Sequence, residues 1–118
     1  MKSKYKISKY RAIKTTINGI VFDSKLEAKR YTELLVMEKS GRISKLKLQP
    51  KFEIQPSFKK NGKTYRKIEY IADFQYYDNK ENKIIIEDVK GMETDVFKLK
   101  KKLFEYKYNE YELQIIKK

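Results

Sequence analysis

Residues 84–91 read Ile-Ile-Ile-Glu-Asp-Val-Lys-Gly. Three consecutive isoleucines read as a strand buried on both faces rather than on one. Such a strand belongs inside a sheet that is covered by further layers. Yet the run passes straight into Glu87, Asp88 and Lys90 before Gly91 ends it. Burying carboxylates and an ammonium is costly unless they are paired or bind a metal. A chain of 118 residues, 40% of them hydrophobic, has one modest core. Any fold for it has to account for three charges at the end of its most apolar strand.

The rest of the chain supplies the layers. Asn18-Gly19 lies between Ile13–Ile17 and Ile20–Phe22, a strong short-range hairpin signal. Ser24-Lys-Leu-Glu27 fits a capping box, and Ala28, Tyr31, Leu34 and Leu35 recur at helical spacing up to a stop at Gly41. Glu27 is in line with Tyr31 and Leu34, so it borders the inward face. Short strands are expected over 43–48 and 52–54, interrupted by Gln49-Pro50 and Gln55-Pro56. Asn61-Gly62 predicts a second hairpin turn that opens one long strand from Thr64 to Tyr77. A turn over 78–82 then leads into a strand over 83–90. Thr94 or Asp95 caps a second helix running to about Tyr108. Val96, Leu99, Leu103 and Tyr106, flanked by Phe97 and Phe104, are its expected apolar stripe, and Lys98, Lys101 and Lys102 its basic face. Tyr111–Ile116 reads as a last strand. The expectation is an α/β fold in one domain spanning 1–118, a mixed sheet flanked by helices in the order αβββαβ after an N-terminal hairpin.

Charge and absences bound the chemistry. The formal net charge is +13, which suits a polyanionic partner, first of all nucleic acid. Residues 1–12 read as a flexible basic arm in which Lys4, Lys6, Lys9 and Arg11 face no acidic neighbour in the sequence; a merely solvated tail is the bland alternative. No apolar run approaches the ~20 residues that span a bilayer, and MKSKYKISKY lacks the apolar segment of a signal peptide. The absence of His and Cys excludes imidazole bases, thiol nucleophiles and zinc fingers. Carboxylates remain, and their oxygens suit Mg²⁺ or Mn²⁺.

Alternation along the 83–90 strand puts Asp88 and Lys90 on one face and Glu87 on the other. If the turn comprises residues 79–82, Asp78 opposes Lys83 and Asp73 opposes Asp88. A slip of one residue would instead pair Asp73 with Glu87. In the first register two carboxylates converge beside Lys90, and a divalent cation relieves their repulsion. A cation there can bind a phosphate oxygen and acidify a water, Lys90 can orient that water or stabilise the pentavalent phosphate, and Glu27 can add a third carboxylate. A helix cap accounts for Glu27 equally well.

Glu27, Asp73 and Asp88-Val89-Lys90 in this order of elements resemble the PD-(D/E)XK nuclease superfamily. The phrases FDSKLEAKRY, QPKFEI, YIADFQY and EDVKGMETDVFKLKKKLFE are similar to a small phage and prophage group of it, related in pattern to Holliday-junction resolvases and RecU-like enzymes. The resemblance implies a restriction-endonuclease-like core and Mg²⁺-dependent cutting of DNA, with Glu27, Asp73 and Asp88 on the metal and Lys90 catalytic. It also implies branched DNA as substrate, a homodimer, and the cytoplasm of a bacterial host. Glu87 is an alternative ligand if a bulge intervenes, and Gln49 a possible accessory near the site. Lys98, Lys101 and Lys102 on the second helix, and Lys60, Lys63 and Arg66 among the cations of the second hairpin, are candidate DNA contacts.

Overall fold

Alternation and punctuation become ten strands and two helices over residues 14–117, the part of the chain that the computed structural model describes. Lys4, Lys6, Lys9 and Arg11 lie outside the described residues. Strands β1 (Thr15–Ile17) and β2 (Ile20–Phe22) form the expected hairpin. Asn18 and Gly19 both take positive φ, 53° and 78°, as its tight turn requires. Helix α1 (Lys25–Lys39) starts at Ser24, whose Oγ accepts the Glu27 N–H at 3.1 Å. Only this half of the capping box forms among the described residues. Past the helix, Gly41 at φ 85° turns the chain so that the Arg42 N–H caps the Met37 carbonyl at 2.9 Å.

The main sheet has the order β10 (Glu112–Lys117), β9 (Lys83–Lys90), β8 (Phe74–Asp78), β3 (Ile43–Leu48). It is mixed: β3, β8 and β9 are antiparallel, and β10 runs parallel to β9. Strand β9 is thus flanked on both sides. Its alternating side chains enter two cores on opposite faces. Ile85 joins Phe22, Ala28, Tyr31, Leu34, Phe74 and Tyr76 under α1. Ile86 joins Phe52, Tyr70, Ala72, Phe97 and Phe104 under α2 (Asp95–Lys107). The fold is mixed α/β. Among the described residues no helix is long and apolar enough to cross a membrane.

Two expectations need correction. The long strand over 64–77 is three strands: β6 (Lys63–Tyr65), β7 (Ile68–Ile71) and β8. Strand β7 pairs with β4 (Lys51–Gln55) while β8 pairs with β3 and β9, so the chain changes sheets at Ala72-Asp73. Helix α2 also faces the other way from its expected stripe: Val96, Leu99, Leu103 and Tyr106 are exposed. Phe97 and Phe104, seven residues apart, are buried instead. The Phe104 ring packs 4.8 Å from Phe52 and 5.1 Å from Tyr70, so the two largest apolar side chains of the helix decide its rotation.

Candidate active site

Where β9 leaves the core, its two adjacent carboxylates diverge. Glu87 is 0% exposed on the α1 face and Asp88 2% exposed on the α2 face. Arg30 meets Glu87 with a two-pronged fork: its Nε donates to Oε1 at 2.7 Å and its Nη2 to Oε2 at 2.6 Å. The Tyr76 hydroxyl donates to the same carboxylate. A buried charge with a guanidinium and a phenol on it is fully compensated, the geometry in which a buried ion pair is tolerated. Glu87, the alternative ligand, therefore acts as the partner of Arg30.

Asp88 has a different environment. The turn is the one that brings it to Asp73: Asp78 opposes Lys83, and Asp78 Oδ1 accepts the N–H groups of Lys80 and Glu81. The ladder runs to Phe74 opposite Glu87, and Asp73 steps out just beyond it. The Asp73 N–H still donates to the Glu87 carbonyl at 3.0 Å, and its Oδ2 accepts the Val89 N–H at 2.7 Å. This holds the Asp73 carboxyl within hydrogen-bonding reach of Asp88. Asp73 is half-buried, and its pKa lies well above the usual carboxylate range. Burial is the largest cause, followed by the charge of Asp88 and the bond to it, and the Val89 N–H pulls the other way. At neutral pH the Asp73 carboxyl therefore holds a proton that an isolated aspartate would have lost.

Around this pair stand three further groups. The Tyr70 hydroxyl donates to Asp88 Oδ2. Lys90 Nζ lies 3.6 Å from Asp88 Oδ1 and 4.3 Å from the centroid of the Phe97 ring, which supports its stem without neutralising it. Glu27 arrives from the first turn of α1. It is 8% exposed, and its carboxylate has no hydrogen bond or salt bridge among the described residues. Its pKa is pushed up to about 7, first by burial, then by the charges of Asp23 and Asp88, with Lys90 opposing. Beyond Lys90 a cleft opens, lined by Gly91, Met92, Glu93, Lys98 and Lys117, and there Lys117 pairs with Glu93 at 2.8 Å.

The expected four residues, Glu27, Asp73, Asp88 and Lys90, thus gather at one end of the main sheet. Glu87 does not join them. Gln49 touches Asp73 through the backbone, its N–H donating to the Asp73 carbonyl at 2.9 Å. Lys98 borders the cleft, Lys102 is exposed, and Lys101 is tied to Glu105 at 3.0 Å. Lys60 and Lys63 lie on exposed strands, and Arg66 in the exposed link between β6 and β7. Sequence reasoning missed Arg30, Tyr70 and Tyr76. Arg30 follows Glu27 by three residues on one helix face, a spacing that marks it as a neighbour.

A family model described as "Protein of unknown function (DUF1064)" matches residues 7–118. The chain belongs to that family. The match takes in every element of the fold and all four clustered residues of this DUF1064 chain. Comparison with curated proteins and with solved structures finds no match.

The donor set fits a hard divalent cation in its chemistry: oxygen ligands only, two carboxyls in contact and a third, unbonded, beside them. The carboxyls are not closed into a three-ligand cage among the described residues. Asp73 and Asp88 are the nucleus of the site, and Glu27 borders it.

Proposed function

We propose that this protein is a metal-dependent endonuclease that hydrolyses phosphodiester bonds in DNA. The observation that carries the reading is the placing of Asp73, whose Oδ2 accepts the Val89 N–H at 2.7 Å, beside the buried Asp88 on a chain of net charge +13. A protein that merely bound nucleic acid would gain nothing from two carboxyls beside a phosphate, because they repel it. Mg²⁺ or Mn²⁺ held by Asp73, Asp88 and Glu27 would supply charge neutralisation at the phosphate and an acidified water. Lys90, beside Phe97 at the mouth of the cleft, would orient that water or stabilise the charge that develops on the phosphate oxygens. Tyr70 holds Asp88 in place, and Lys98 offers a backbone phosphate contact.

The succession α1, β3, β8, β9, α2, β10 around one mixed sheet supports a restriction-endonuclease-like core. On that reading the favoured substrate is branched DNA such as a four-way junction, cut by a homodimer in the cytoplasm of a bacterial host. Symmetric incision of two strands is what asks for two copies.

The test is incubation of the protein with a labelled four-way junction, a linear duplex and a single strand, with Mg²⁺, Mn²⁺ or EDTA, beside Asp88→Ala. Paired cuts at the junction, absent with EDTA and in the variant, are the expected result. Metal-dependent cutting of linear duplex alone would keep the nuclease and discard the junction. Tight binding without cutting under either metal would replace the nuclease with an accessory DNA-binding protein.

A further inference from the structure

Strands β5 (Phe58–Lys60) and β6 (Lys63–Tyr65) pair only with each other among the described residues, and every residue from 55 to 68 is exposed. They form a finger turned by Asn61 and Gly62 at φ 53° and 75°. Residues 56–68 hold Lys59, Lys60, Lys63, Arg66 and Lys67 and no acid. Lys67 is paired with Glu69 at 3.2 Å; the other four have no acidic partner among the described residues. Lys60 and Lys63 are placed directly opposite each other across the turn, a like-charge pairing that costs stability.

Charges on a protruding strand pair have a simple explanation, protection against edge-to-edge aggregation. That explanation does not extend to the aromatic pair beside them. Phe58 and Tyr65 are cross-strand partners whose rings stack at 4.8 Å with an interplanar angle of 9°. They remain 43% and 39% exposed, and Lys63 Nζ lies 5.0 Å from the Tyr65 centroid. A negative-charge-seeking finger that also presents stacked rings matches the chemistry of single-stranded nucleic acid, whose phosphates take the cations and whose bases take the π-faces. Duplex DNA offers the phosphates but keeps its bases stacked inside.

We propose that the β5–β6 finger is a base-stacking wedge. Phe58 and Tyr65 receive unpaired bases of DNA, and Lys59, Lys60, Lys63 and Arg66 hold the flanking phosphates. The inference rests on the reading of this chain as a DNA nuclease and gives it a substrate class: DNA with an unpaired segment next to the cut. From Ile68 to Asp73 the chain takes five steps, along strand β7 and on through Ala72, so the finger's base stands about 17 Å from the carboxyl pair. That is roughly five nucleotide steps of duplex from the scissile phosphate.

The experiment measures binding, not cutting. Full-length protein in EDTA is titrated against a forked duplex with unpaired arms and against a fully paired duplex, by fluorescence anisotropy. A second fork carries 2-aminopurine in the unpaired arm as a reporter of stacking. The variant Phe58→Val/Tyr65→Ile removes both rings and keeps strand-forming, apolar residues at the pair. Circular dichroism melting confirms that it folds. The expected result is about a tenfold or greater weakening for the fork, loss of the 2-aminopurine quenching, and duplex affinity unchanged within about twofold. Equal weakening on both DNAs, or an unchanged fork affinity, would overturn the wedge. Because no cut is scored, a wild-type protein that binds forks through the rings and never cleaves keeps the wedge and loses the nuclease. A metal-dependent nuclease indifferent to the variant does the reverse.

Discussion

Glu27 gives the sharpest test of whether the cluster is a site or a scaffold. Its carboxyl is buried, unbonded and displaced from an ordinary 4.5 to about 7. A folded-state value above the unfolded one means that the native protein holds a proton that the unfolded chain releases. The stability contributed by that proton is present below pH 4.5 and is lost as pH rises through 7. The displacement corresponds to about 3 kcal/mol, reduced to about 2 by relaxation and residual hydration. Glu27→Gln removes the ionisation and keeps the shape. In EDTA the variant should match the wild type at pH 4.5 and exceed it by about 2 kcal/mol at pH 8, a rise in Tm of several degrees. Thermal and urea denaturation at pH 4.5, 6, 7 and 8 measures this directly. Adding Mn²⁺ at pH 8 should stabilise the wild type more than the variant, which keeps Asp73 and Asp88 but lacks the third carboxylate. If Glu27 were only a helix-end residue, the variant would be equal or slightly worse at every pH. A pH-independent difference refutes the reasoning.

Three further outcomes follow from the geometry. Arg30→Ala leaves Glu87 buried and unpaired and should cost about 3–5 kcal/mol in urea denaturation, with Arg30→Ala/Glu87→Gln recovering part of it. Tyr70→Phe removes the hydroxyl on Asp88 from a buried position and should cost about 1.5–3 kcal/mol; an unchanged Tm would show that the bond contributes nothing. Affinity for a 20-base-pair duplex, measured by anisotropy from 50 to 200 mM KCl, should fall about linearly on a log–log plot with a slope that neutralising Lys98 and Lys102 to Gln makes shallower.

How legible this molecule was differs from element to element. The β8–β9 register followed from one turn, because a loop over 79–82 fixes every pair above it, down to Phe74 opposite Glu87. Glu27 was legible as an inward-bordering residue from its spacing to Tyr31 and Leu34. What local pattern could not carry were the partners brought by distant segments. Arg30 reaches Glu87 across 57 residues, and Tyr70 reaches Asp88 across 18. The orientation of α2 was misread for a related reason. Val96, Leu99, Leu103 and Tyr106 make a regular stripe, but the helix is rotated by the shape of what it covers. The surface under it is the ring pair Phe52 and Tyr70, which Phe104 fits. The break at Ala72-Asp73 was equally invisible, because an apolar alternation continues through it even though the strand changes partners there.

Two adjacent carboxylates on β9 answer the question raised by the isoleucine run, and they answer it in different ways. Both enter apolar surroundings, and both need compensation. At Glu87 the chain supplies it in full, with a guanidinium at hydrogen-bonding distance on both oxygens. At Asp88 the compensation is thinner: Lys90 pairs with Oδ1 only at 3.6 Å, the Tyr70 hydroxyl donates to Oδ2, and a second acid, Asp73, stands beside it. A third, Glu27, is close enough for its protonation to respond to Asp88. A scaffold under selection for stability alone has no use for that arrangement, since the same strand shows, one residue earlier, how a buried carboxylate is neutralised. Three acids against one lysine leave the cluster two positive charges short when all are ionised. That deficit is the charge of one divalent cation, and it lies at the mouth of a cleft whose further lining includes Lys98 and Lys117.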